Sequence, residues 1–97
     1  MTIDGVSQSG AERLIDVTAV DVGVRLVIRD KQTELAQAEI PFEPIMTALT
    51  EKPTGEQEIG SLQIEVKRNE VLLTVGGSDA AVGLDDMMDA VSATIPA

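Results

Sequence analysis

Arg13–Asp30 reads RLIDVTAVDVGVRLVIRD, and Ser61–Ala80 reads SLQIEVKRNEVLLTVGGSDA. In the first stretch Ile15, Val17 and Ala19 alternate with Asp16 and Thr18, a turn falls at Asp21–Gly23, and Val24, Leu26 and Ile28 alternate with Arg25, Val27 and Arg29. Side chains on a strand point to opposite faces in turn, so this pattern predicts two strands with one apolar side each. The second stretch has the same grammar. Leu62, Ile64 and Val66 alternate with Gln63, Glu65 and Lys67, a turn falls at Arg68–Glu70, and Val71, Leu73 and Val75 follow. An offset of 47 lays the first set of apolar residues on the second.

Working outward, a third strand is predicted in each half. TELAQAEI after the turn Asp30–Gln32 places Ala36, Ala38 and Ile40 inward. Ala80 and Val82 follow Gly76–Gly77, a dipeptide that favours tight hairpin turns. The period then changes. Phe42, Met46 and Leu49 have helical spacing, with Pro44 suited to a first turn and Pro53 as a stop. Leu84, Met88, Val91 and Ile95 repeat it, with Asp85 as N-cap, Asp86 and Asp89 near the positive end of the helix dipole, and Pro96 as the end. At an offset of 42, Ala38, Ile40, Phe42, Ile45, Met46, Ala48 and Leu49 fall on Ala80, Val82, Leu84, Met87, Met88, Ala90 and Val91.

These patterns predict an α+β fold: a two-layer sandwich built from a pseudo-repeated βββα unit. It has about six antiparallel strands, two helices on one face and approximate two-fold symmetry. Residues 1–11, polar and rich in Gly and Ser, read as a flexible leader. Residues 12–97 read as one domain, with half-repeats 12–52 and 58–97 separated by a polar linker over 52–60.

Composition narrows the chemistry. The 97 residues include no His, Cys, Trp or Tyr, and one aromatic, Phe42. A disulfide framework, a thiolate nucleophile, a zinc finger and a histidine base are therefore excluded. Seven basic against 17 acidic residues give a net charge of −10, which disfavours contact with phosphates. No apolar run reaches the roughly 20 residues that span a bilayer, and the N-terminal residues lack the pattern of a signal peptide. A cytoplasmic location is expected.

Candidate site residues all have structural explanations. Asp79, Asp85, Asp86 and Asp89 lack the spacing of a cation-binding loop. Met87–Met88 point about 100° apart on a helix, and Met88 belongs to the core stripe. Gly76–Gly77 is a turn rather than a phosphate cradle. Ser7, Ser9, Ser61, Ser78 and Ser92 have no histidine to activate them. Lys31, Lys52 and Lys67 fall at turn, linker or outward strand positions. No catalytic residue, metal ligand or cofactor is predicted.

Two surfaces remain. Val20, Val27, Leu35 and Leu72 face outward and are expected to form an apolar patch for self-association. After Arg68 the chain has no cation, while Glu70, Asp79, Asp85, Asp86 and Asp89 remain, so an acidic edge is expected to attract basic partners. The predicted function is a non-enzymatic protein–protein interaction domain (adaptor, chaperone or regulator), homodimeric, with a protein partner and neither nucleic acid nor membrane. The alternative is a DNA-mimicking inhibitor from a phage or other mobile element, in which carboxylates stand in for phosphates. A small-molecule or ion-binding module between the helix layer and the sheet is weighed beside it, although no convergent polar pocket is legible.

Overall fold

A computed structural model describes residues 1–95. The strands are β1 (Thr2–Val6), β2 (Glu12–Val20), β3 (Gly23–Asp30), β4 (Thr33–Ile40), β5 (Glu56–Ile59), β6 (Leu62–Val66), β7 (Glu70–Val75) and β8 (Ser78–Gly83). Helix α1 (Phe42–Glu51) follows β4, and α2 (Leu84–Ser92) follows β8. All eight strands form one antiparallel sheet in the order β4-β3-β2-β1-β8-β7-β6-β5.

This corrects the sandwich of about six strands. The repeating unit is ββββα, and its first strand was hidden both times. Residues 1–11 are not simply a leader, because Thr2–Val6 lies in the middle of the sheet between β2 and β8. The alternation there is masked by Gly5, an inward position with no side chain. A Cβ on Gly5 would lie 2.8 Å from Ile15 Cδ1 and 2.9 Å from Val82 Cγ1. The expected linker contains β5, a four-residue edge strand whose inward residues, Gln57 and Ile59, are only half-buried.

The sheet is curled into a half-barrel rather than flat. Strand twist, with a register shift between Ile28 and Arg29 where β3 meets β4, bends it until β3 approaches β8 and β4 approaches β7 across the interior. Both walls then supply one core. Ile15 and Leu62, Val17 and Ile64, Val24 and Val71, and Leu26 and Leu73, matched by the 47-residue offset, are all buried. So are Ala38 and Ala80, and Ile40 and Val82. The helices close the concave side with Ile45, Ala48 and Leu49 of α1 and Leu84, Met87, Ala90 and Val91 of α2.

Strand order shows how the two halves are joined. The halves read 4-3-2-1 and then 8-7-6-5 in the same direction, a tandem arrangement joined where Gly5 pairs with Val82 and Val6 with Ala81. Helix details shift as well. Gly83, not Asp85, is the N-cap of α2, and it makes no side-chain cap bond. Met87 is the fully buried methionine, while Met88 is half-buried. Ile95 lies beyond α2 and is exposed, and Pro96, expected to end the helix, falls outside the described residues.

Candidate functional site

The convex face of the sheet carries the outward residues of every strand, and cross-strand pairing fixes which of them are neighbours. Val27 on β3 sits between Asp16 on β2 and Gln37 on β4. Leu72 on β7 sits between Glu65 on β6 and Ala81 on β8. Three strands, β2, β1 and β8, separate Val27 from Leu72. Val20 pairs with Gly23 beside the β2–β3 turn. Leu35, 39% exposed, is the residue skipped by the register shift on the free edge strand β4. The four residues expected to form one patch are therefore dispersed. The apolar row that does form on this face is Val6, Ala81 and Leu72, with Glu12 and Glu65 at its ends. It was invisible without β1, because Val6 was placed in the leader.

Ion pairs are distributed unevenly between the two units. Arg25 donates to Glu39 through Nε at 2.8 Å, and the Arg29 guanidinium binds Asp16, with Nη2 to Oδ1 at 3.0 Å. Arg13 Nη1 stands 4.0 Å from Asp30 Oδ2. All three ion pairs lie within the first unit. Among the described residues, no carboxylate after Glu39 has a cation within 4.0 Å. Glu56 and Glu65 even face each other as a cross-strand pair, an unfavourable like-charge contact.

The ionisation of Asp16 is tuned by its surroundings. Partial burial pushes its pKa up, but hydrogen bonds from Arg29 and Thr2, with the charges of Arg29 and the N-terminal amine, outweigh this and hold it below the ordinary 3.8. A depressed carboxyl stabilises the fold above its unfolded pKa, and that contribution is lost as pH falls through the folded value. Asp16→Asn is expected to cost about 1 kcal/mol at neutral pH. In urea unfolding across a pH series, the gap between the two proteins should close below pH 3.8. A gap that stayed constant down to acid pH would show that the Asp16 charge contributes nothing.

The acidic edge is brought together in part. Glu70 opens β7 and pairs with Gly83, the N-cap two residues before Asp85 and three before Asp86 in the first turn of α2. Asp89 follows one turn later, and all three aspartates are exposed. Asp79 is separate, at the far end of β8, where its Oδ2 accepts the Gln8 backbone N–H at 2.7 Å.

No family model, no curated protein and no solved structure matches the chain. Its chemistry is therefore read from its own geometry. Among the described residues, no group of three or more acidic side chains is placed to hold a metal ion, and no helix is long and apolar enough to cross a membrane. A groove of about 560 Å³ runs along Asp4, Val6, Glu12, Arg13, Asp30 and Lys31. Its charged groups are engaged with one another and with the backbone: Arg13 Nη1 donates to the adjacent Glu12 carbonyl at 2.9 Å and stands 4.0 Å from Asp30 Oδ2. A smaller cavity at one end of the half-barrel is lined by Ala19, Val20, Gly23, Phe42, Thr94 and Ile95. Sequence reading overlooked it because Ala19 and Phe42 had been assigned to the core.

Proposed function

We propose that this chain is a non-enzymatic protein–protein interaction domain, acting as adaptor, chaperone or regulator in the cytoplasm, that receives a basic protein surface on its acidic side. The observation that supports this reading is the excess of carboxylates without a cation, which takes in every described carboxylate of the second unit. The arginines of the first unit are tied to carboxylates beside them, whereas Glu56, Glu58, Glu65, Glu70 and the aspartates of α2 have no cation within 4.0 Å. Carboxylates left without internal partners generate a field that steers cationic surfaces and fixes their orientation. The homodimer expectation rested on a continuous apolar patch; with those residues dispersed, the proposal rests on charge alone.

The test is affinity capture from the source cells with the parent and with a neutralised variant carrying Glu70→Gln, Asp85→Asn, Asp86→Asn and Asp89→Asn. Basic proteins held by the parent at low salt and lost from the variant are expected. Exposed charge pairs are screened strongly by salt, so retention should also fall as ionic strength rises. Partners retained equally by the variant would overturn the reading. A captured set made up of DNA-processing enzymes, displaced by duplex DNA, would replace it with DNA mimicry.

A further inference from the structure

The cavity at the end of the half-barrel has a volume of about 300 Å³, and none of its lining residues is charged. It contains Phe42, the only aromatic residue of the chain. Ile95, one of its lining residues, is 52% exposed, and Val22, the residue before the lining Gly23, is 57% exposed. The tandem repeat provides an internal reference for this surface. The residues matched to Ala19 and Phe42 are Val66 and Leu84, which are 8% and 5% exposed. Ala19 is exposed and Phe42 half-buried. The first unit thus leaves uncovered the two positions that the second unit buries.

Charge around the opening indicates what would cover it. Asp21 and Glu43, both exposed, adjoin the lining residues Val20 and Phe42 in sequence. Asp89, nearer the end of α2 that leads to Ile95, is also in solvent. The arginine that follows Gly23 on β3, Arg25, is tied to Glu39. A second copy would set like charges against these carboxylates, which is costly. An apolar centre ringed by cations would meet both the cavity and its surroundings.

We propose that this opening binds a short amphipathic segment of the partner. One or two aliphatic side chains fill the cavity, and flanking lysines or arginines face Asp21, Glu43 and Asp89. This rests on the acidic-surface reading above and specifies the form of the partner: apolar anchors within a basic segment, the mode in which a helix or strand seats in a groove.

The experiment titrates the isotope-labelled chain with two synthetic peptides. One has leucines and lysines at helical spacing; the other has every leucine replaced by serine. Burying one aliphatic side chain is worth roughly tenfold in affinity or more, so the leucine peptide should bind at least about tenfold more tightly. It should also shift the amide signals of Val22, Phe42, Thr94 and Ile95. A Val22→Ser and Ile95→Ser double variant, altered only at exposed positions, should retain its circular dichroism and lose that advantage. Equal affinity for both peptides, with shifts confined to Asp85, Asp86 and Asp89, would overturn this inference and leave the acidic-surface reading standing. Binding of neither peptide would overturn both. A dimer seen by light scattering and split by the double variant would assign the opening to a second copy, which also overturns the proposed partner.

Discussion

Gly23→Ala is expected to lower the stability of the domain by about 3 kcal/mol, combining backbone strain and overpacking. Gly23 has φ +143°, a conformation that residues with a Cβ rarely adopt. The space is also occupied. A Cβ at this position would lie 2.6 Å from the Ile40 carbonyl oxygen and 2.6 Å from the Phe42 nitrogen. Both are backbone atoms at the passage from β4 into α1, so no side-chain rotation relieves the clash. A chain of this length has a total stability of roughly 5–15 kcal/mol, so the loss is a large fraction of it. Urea unfolding followed by circular dichroism should show a lower midpoint with an unchanged slope. A midpoint equal to the parent's would mean that β3 and the β4–α1 passage are not so close.

Ile15→Ala is expected to cost about 4 kcal/mol, within the range for deleting a fully buried aliphatic side chain. Ile15 has no exposed surface and lies between Ile3 on β1 and Ile28 on β3. Its Cδ1 reaches over Gly5, where a Cβ would stand 2.8 Å away. Two predictions are therefore coupled. Gly5→Ala is destabilising in the parent, because the added methyl meets Ile15 and Val82. In the Ile15→Ala background the same methyl enters the space just vacated and should cost less. The double-mutant cycle is expected to give a coupling of about 1 kcal/mol in the compensating direction. Additive effects would show that Ile15 and Gly5 do not share that space.

Gly5 also explains where sequence reading stopped. Strands with several inward aliphatic residues were legible by alternation: β2 through Ile15 and Val17, β3 through Val24, Leu26 and Ile28, and β7 through Val71, Leu73 and Val75. Strand β1 contributes one inward side chain, Ile3, because neighbours on β2 and β8 fill the space at Gly5. Strand β5 lies at the edge with no fully buried residue, so its pattern is weak for a different reason. Helix positions were legible, but their phase was not: α2 turns Met87 inward and leaves Met88 partly exposed. The candidate surfaces depended on strand order, which local alternation does not encode. Val27 and Leu72 face the same way on equivalent strands, yet they lie on different walls of the barrel. The uncovered opening carries a signal in the overlay, which pairs Phe42 with Leu84. What differs is the surroundings, and those arise only once the chain is folded.

The tandem order of the sheet leaves two unlike rims, β4 on one side and β5 on the other. A molecule whose β4 rim met the β5 rim of the next would be joined head to tail, and head-to-tail contacts propagate into filaments unless their rotation happens to close a ring. Glu56 and Glu58 on the β5 rim, with Glu65 directly behind Glu56, oppose that growth by mutual repulsion, as charged edge strands commonly do.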